Sequence, residues 1–200
     1  MSQPTDPQPA AKSREQMIEE IKALAPWHHD IPLSEDFSTG RAFSESGSLT
    51  RKENENVALL GSLGEQFVSF AKQLFPDGLD GKRVLDCACN AGIYCFLARE
   101  LGADFSFGFD VREHWINQAN WVKEHRTIAP TDRIRFSVCD LYDLSNKNLP
   151  KFDITIFKGI FYHLPDPVSG LKQAADLTSG VMLFNTNNLG AARWFPCSRI

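Results

Sequence analysis

The sequence predicts an α/β fold built on a doubly wound parallel sheet. From Lys82 onward, short apolar runs alternate in regular order with runs at helical spacing, the pattern of a parallel sheet with helices on both faces. The stretch Val84 to Tyr94, "VLDCACNAGIY", reads as a buried strand turning sharply into a helix. Each predicted strand also ends on a polar residue, in turn Asp86, Asp110, Asp140, Lys158 and Asn185, and ligands of such sheets sit beyond the carboxyl ends of the strands.

The elements follow in chain order. Residues 1–12, with Pro4, Pro7 and Pro9, read as a flexible tail. Ser13 followed by Gln16 has the spacing of a capping box, and Met17, Ile18, Ile21, Leu24 and Ala25 share one helical face until Pro26. The stretch from Pro26 to Asn56 is polar, punctuated and without a clear period, and its part from Trp27 to Thr50 is the candidate lid. Val57, Leu60, Gly64, Phe67, Val68, Ala71 and Phe75 restore helical spacing before "PDG". Residues 13–80 are thus expected to be a helical and lid extension, and 81–200 the ligand-binding domain.

Within that domain "RVLDC" is the first strand, and Ile93, Phe96, Leu97 and Leu101 line the helix after it. Phe105, Phe107 and Phe109 alternate as a strand does, and Trp115, Ala119 and Val122 mark the next helix. "RIRFSVCD", "FDITIFKG" and "VMLFNT" supply three more strands. Asp166 and Pro167 are placed as the cap and first residue of a helix through Leu177.

Composition narrows the function. The 200 residues carry 25 acidic and 21 basic side chains, a net charge of -4, so no strong overall field favours a polyanion or a membrane surface. The five cysteines, Cys87, Cys89, Cys95, Cys139 and Cys197, are odd in number, and three lie in or beside the apolar strand-to-helix unit, which argues for a reduced, cytoplasmic protein. No apolar run approaches the ~18 residues of a membrane span.

The turn itself reads Asp86, Cys87, Ala88, Cys89, Asn90, Ala91, Gly92. It has one glycine where phosphate-cradling turns carry three, yet alanine allows close backbone approach and asparagine tolerates left-handed angles. An acidic residue at its start is poorly placed beside a pyrophosphate and suits an ammonium group. Asp110, 18 positions after Gly92, ends the second strand, where a carboxylate accepts from both hydroxyls of a ribose. The pair points to an amino acid joined to adenosine.

As a set, Asp86 to Gly92, Asp110, "CDL" (139–141) and "FDITIFKGIFYHLPDP" resemble the successive motifs of class I S-adenosylmethionine-dependent methyltransferases, over roughly residues 82–186. The resemblance implies a Rossmann-like fold and S-adenosylmethionine as cofactor, with S-adenosylhomocysteine as product. It implies that Ala88, Asn90 and Gly92 line the methionine part, that Asp110 holds the ribose, that Asp140 with Leu141 borders the adenine, and that Lys158 lies near the sulfonium. Ala88 and Asn90 depart from the family's glycines. "PWHHDI", "NAGIY", "GIFYHLPDP" and "NTNN" are similar to the branch containing bacterial tRNA wobble-uridine carboxymethyltransferase, which makes Trp27 and Tyr162 site candidates. The family sheet continues with a helix and a hairpin, whereas 15 residues follow Asn185, so a fragment or a form lacking the hairpin is expected.

The expected reaction is methyl transfer to a small molecule or, second, a tRNA nucleoside. His163 or His29 is the candidate base and Tyr162 its orienting partner, because imidazole titrates near physiological pH. Alternatives are an NAD(P)-dependent oxidoreductase and a non-catalytic adenosine-binding module. "YHLPD" lacks the lysine of a Tyr-x-x-x-Lys dehydrogenase pair. An iron site from His28, Asp30 and His163 would need a rigid jelly-roll mouth that this loop does not provide; the preferred reading of the stretch has Trp27 packing the loop onto the domain while the histidines line the site or cap a helix. Cys87 with Cys89 lacks the spacing of a zinc knuckle, so no metal is expected. The basic run 123–135 reads first as a solvated helix end and loop and second as an RNA patch.

Overall fold

The computed structural model describes residues 12–45 and 64–186. The tail up to residue 11, the lid from residue 46 onward, Val57, Leu60, the second half of "NTNN" and Cys197 lie outside them.

Helix α1 (Arg14–Ala23) begins with the expected capping box: the Gln16 N–H donates to Ser13 Oγ at 3.3 Å and the Ser13 N–H to Gln16 Oε1 at 2.9 Å. It ends at Leu24, earlier than Pro26 implies, and the Trp27 indole N–H donates to the carbonyl of Ile21 at 2.8 Å. The stretch expected to lack a period contains helix α2 (Thr39–Glu45). Its start is fixed by hydroxyls: Thr39 Oγ1 accepts the Ile31 N–H and donates to the His29 carbonyl, and Ser38 Oγ accepts the Arg41 N–H. A seven-residue helix held by such local bonds leaves too few apolar positions for a periodic signal. Residues 64–74 are helical and are called α3.

The domain then alternates: β1 (Arg83–Cys87), α4 (Ile93–Glu100), β2 (Phe105–Asp110), α5 (Glu113–His125), β3 (Ile134–Val138), a 3-10 segment (Leu141–Lys147), β4 (Phe152–Lys158), a 3-10 turn (Phe161–His163), α6 (Pro167–Leu177) and β5 (Thr178–Asn185). Asp166 caps α6 by accepting the Ser169 N–H at 3.1 Å, with Pro167 in its first turn. Strand β5 starts three residues before the valine expected to open it, because Thr178 pairs with Phe152 and a bulge separates that pair from Ile154 opposite Val181.

All strand pairs are parallel, in the order β3-β2-β1-β4-β5, so the order reverses between β1 and β4. Alternate residues of a strand face opposite sides. Val84, Ile154 and Ile156 join the apolar layer under α4, while Leu85, Phe107, Phe152 and Phe157 pack the opposite layer with Leu141, Leu144 and Ala174. The aromatic rings of Phe107, Phe109 and Phe152 stack across β2 and β4 at 6.4 Å.

The N-terminal segment shares the first layer: Ile21, Ile31, Leu33 and Phe37 are buried in one cluster with Val84 and Phe96. Polar ties fix it there. Gln118 of α5 is fully buried and donates to the carbonyls of Leu24 (2.6 Å) and Pro26 (2.8 Å). Arg126 donates to the Pro32 carbonyl, pairs with Glu100 and lies over the Phe96 ring. The basic run is therefore only partly solvated: Arg126 is buried, and the His125 ring stacks on Trp121. Among the described residues no helix is long and apolar enough to cross a membrane.

Candidate functional site

A cleft of about 480 Å³ lies beyond the carboxyl ends of β1, β2 and β4, at the reversal of strand order. The turn after β1 makes its floor. Ala88 (φ 55°), Asn90 (φ 52°) and Gly92 (φ 82°) all take left-handed angles, so the expected tolerance of asparagine is used, and alanine is held in the same region. Of the three, only Gly92 has a steric need for glycine, since a Cβ there would stand 2.4 Å from the Phe136 ring. The Asn90 side chain closes the turn on itself, its Oδ1 accepting the Ala91 N–H at 2.7 Å.

Asp110 ends β2 and is buried. Its Oδ2 accepts the Asn90 N–H at 3.2 Å and its Oδ1 the Arg112 N–H at 3.0 Å, so one carboxylate orients both the β1 turn and the start of α5. Val111, exposed beside it, and Leu141 and Ile160 give the cleft an apolar lining. Asp140 stands at its exposed edge, with Oδ1 accepting the Tyr142 N–H at 2.9 Å.

Asp86 is placed differently. With Val84 it faces the α4 side of the sheet, fully buried, and its Oδ2 has no hydrogen-bond partner. Burial first, then the charge of Asp110, pushes its carboxyl well above the usual range, and Lys158 opposes that shift. Lys158 ends β4 with the parity of Ile154 and Ile156 and so stands on the same face. Its Nζ lies 5.5 Å from the centre of the Tyr94 ring and 3.4 Å from Gln66 Oε1.

The histidines separate by environment. His29 is enclosed beside Tyr94, ring centres 6.3 Å apart, with Nδ1 buried and unpartnered. Burial, helped by the charges of His28 and Lys158, lowers its pKa to about 4, so the ring is neutral at physiological pH and a weaker proton acceptor than an ordinary imidazole. His163 lines the cleft, and Tyr162 is largely exposed, its ring 4.4 Å from that of His163.

Trp27 is not among the residues lining the cleft, and neither are Asp86, Gly92, Lys158, Tyr162 and His29; the Trp27 ring meets Trp121 edge-on at 6.3 Å and packs against the α4-side apolar layer. The next residue, His28, reaches the cleft instead, 3.2 Å from the Asn90 amide through Nδ1 and against the Trp115 ring. Sequence reasoning does not place Trp115, Arg112 or Tyr94 at the site. Periodicity assigns Trp115 to a helix face, and a helix that starts immediately after a site-forming strand end is the signal that could have found it.

A larger groove of about 690 Å³ between α3 and α4, lined by Val68, Ile93 and Leu97, shares no residue with this cleft. Among the described residues no group of three or more histidine, cysteine or acidic side chains is arranged to hold a metal; Asp30 accepts the Gly40 N–H at 2.7 Å. The four described cysteines are free and buried, and burial raises their pKa values.

Known proteins resemble the chain in both sequence and fold. A family model described as a methyltransferase domain matches residues 79–198. A tRNA U34 carboxymethyltransferase of Campylobacter fetus is 30% identical over 118 residues, 59% of this chain and 40% of that protein. A ubiquinone biosynthesis O-methyltransferase of Neisseria meningitidis serogroup C is 30% identical over 112 residues, 55% of this chain and 46% of the relative. The chain thus spans less than half the length of these two curated relatives. Among solved structures, the N-terminal domain of EvdMO1, crystallised in the presence of S-adenosylhomocysteine and D-fucose, superposes with a TM-score of 0.61 at 18% identity, covering 86% of this chain and 64% of that one. Magnesium protoporphyrin IX methyltransferase from Synechocystis PCC 6803 with bound S-adenosylhomocysteine gives 0.52 at 18% identity, over 66% and 57% of the two chains. At this identity both likenesses bear on the fold.

Proposed function

Because the chain belongs to the methyltransferase-domain family, we propose that it transfers the methyl group of S-adenosylmethionine to a small-molecule acceptor. The observation that carries this reading is the pair of carboxylates flanking the β1 turn: Asp110 at the ribose position, and Asp86, whose buried Oδ2 lacks any partner. An orphaned buried carboxyl is costly unless something cationic or donating reaches it, and the ammonium of an aminoacyl nucleoside fits that need where a diphosphate would not. A nucleotide carrying phosphates would instead bring negative charge against Asp110 and offer no donor to the buried Asp86 oxygen.

The residues divide the work. Asp110 accepts from the ribose hydroxyls while holding the turn; Leu141, Ile160 and Val111 bracket the adenine, and Asp140 borders its polar edge. Ala88, Asn90 and Gly92 bring backbone close to the methionine part, and His28 covers the mouth above Asn90. When bound, the cofactor supplies a methyl group already made electrophilic by its sulfonium. The protein's task is alignment and exclusion of water. His163 is our candidate to take a proton from an acceptor, with Tyr162 at its side; that it lines the cleft supports this.

A small acceptor is favoured over tRNA by the basic run 123–135, whose Arg126 is buried in an ion pair and whose Arg133 pairs with Asp104. The test is calorimetric titration of the full chain with S-adenosylhomocysteine and with NADH, followed by release of labelled methyl groups into small metabolites and into pooled tRNA. Binding of NADH with S-adenosylhomocysteine ignored would overturn the proposal, and labelling of tRNA alone would overturn the acceptor class.

A further inference from the structure

Four elements bring polar side chains together on the α4 face of the sheet, next to the cofactor cleft. Strand β4 supplies Lys158, α4 supplies Tyr94, the segment after α1 supplies His29, and α3 supplies Gln66. Gly159 and Ile160, which follow Lys158 directly, line the cleft itself. Among the described residues Lys158 has no carboxylate within ion-pair distance; its nearest polar contact is the 3.4 Å approach to the Gln66 amide oxygen. Nδ1 of the enclosed His29 also lacks a partner. Asp86 on the same face interacts with Lys158, but burial raises its pKa and favours its neutral form, so a half-buried ammonium beside a partly buried imidazole with an unused, buried nitrogen is an arrangement an incoming anion would stabilise.

Resting on the methyltransferase reading, we propose that Lys158, Tyr94 and His29 form an anion subsite that holds the methyl acceptor in its ionised form, so that the substrate is a small oxygen acid, a carboxylate or an ionised phenol. The charge balance favours it. The methyl donor is itself a cation, and a lysine ammonium next to a sulfonium is repulsive unless negative charge lies between them. An acceptor oxygen flanked by both is favoured in its anionic state, so the nucleophile forms by electrostatic stabilisation and needs no strong base. The depressed basicity of His29 agrees with a role as hydrogen-bond partner, and the Tyr94 hydroxyl, its pKa raised by burial, stays a donor. An acceptor already ionised in solution brings no proton, and one that is not gives it to His163; the acceptor's oxygen electron pair forms the new O–C bond while the C–S pair returns to sulfur, leaving a neutral thioether.

The experiment first titrates the full chain with S-adenosylhomocysteine and then titrates that complex with benzoate and with its neutral counterpart benzamide. Benzoate is expected to bind at least about tenfold more tightly, and Lys158→Met is expected to abolish the preference, while Lys158→Arg retains part of it. Lys158→Gln repeats the test with a polar side chain should the methionine variant fail to fold. No preference for benzoate in the wild type, or a preference unchanged in the charge-free variants, overturns the inference and leaves the cofactor reading standing. The inference is equally overturned if loss of the charge weakens S-adenosylhomocysteine while sparing 5'-methylthioadenosine, which assigns the ammonium to the cofactor's own carboxylate. Failure of the first titration overturns the methyltransferase reading itself.

Discussion

Replacement of Asp110 by alanine probes the site most directly. The carboxylate is 6% exposed and accepts two backbone N–H groups, from Asn90 at 3.2 Å and Arg112 at 3.0 Å. Each oxygen keeps a lone pair for a ribose hydroxyl. A hydrogen bond to a charged group contributes about 1.5–3 kcal/mol, and water entering from the cleft replaces part of it, so the variant should lose about 2–4 kcal/mol of stability. Its affinity for S-adenosylhomocysteine should fall by about 1–3 kcal/mol, roughly 5- to 150-fold. Urea denaturation reads the first quantity and calorimetry on the folded variant the second. Asp110→Asn should recover some stability, because its carbonyl oxygen still serves one N–H, while its amide faces the other. A folded Asp110→Ala chain that binds S-adenosylhomocysteine within about twofold of wild type would refute the placement of the ribose.

Three further outcomes follow from the same geometry. Gly92→Ala combines a left-handed backbone with a Cβ at 2.4 Å from Phe136 and should cost about 2–5 kcal/mol in urea denaturation. Ala88→Gly relieves the angle of 55° and should stabilise the fold by about 0.5–1 kcal/mol after the extra freedom of glycine in the unfolded chain is offset; a loss of stability would show that the alanine methyl outweighs the strain. His29 titrates at about 4 in the fold against 6.5 in the unfolded chain, so the unfolded state binds the extra proton between those values and stability is lost as pH falls through that window. Between about pH 7.5 and 5 the wild type should lose about 2 kcal/mol more than His29→Gln, and equal losses would place His29 in contact with water. Asp86, whose folded pKa is raised, acts with the opposite sign, which is why the comparison is made between variants and not on the wild type alone.

Much of the site is legible in the sequence because its residues occupy equivalent places in repeated local patterns. Asp110, Asp140 and Leu141 stand where an apolar run stops, and the cleft includes all three. The turn is legible from Asn90 and Gly92, whose left-handed angles match what those residue types accept. The sequence leaves Trp27 both as a site candidate and as a packing residue, because adjacent residues in an irregular segment point to different sides and no period says which. Tyr94 and Trp115 are hidden because on a helix a site residue and a core residue share the same apolar spacing.

Local periodicity, then, determined the strands, the helices other than α2, the sharp turn after β1 and the polar character of each strand end. Each of these depends on a few neighbouring residues and on the spacing of side chains along one element. Only the tertiary structure decided that Lys158 of β4 stands beside Asp86 of β1, that His29 is enclosed with Tyr94, that His28 rather than Trp27 meets the cleft, and that Arg126 is buried beneath the N-terminal segment. Those outcomes depend on the order β3-β2-β1-β4-β5 and on where an N-terminal segment far earlier in the chain settles, and both are set by burial of apolar surface between distant elements, which no local pattern encodes.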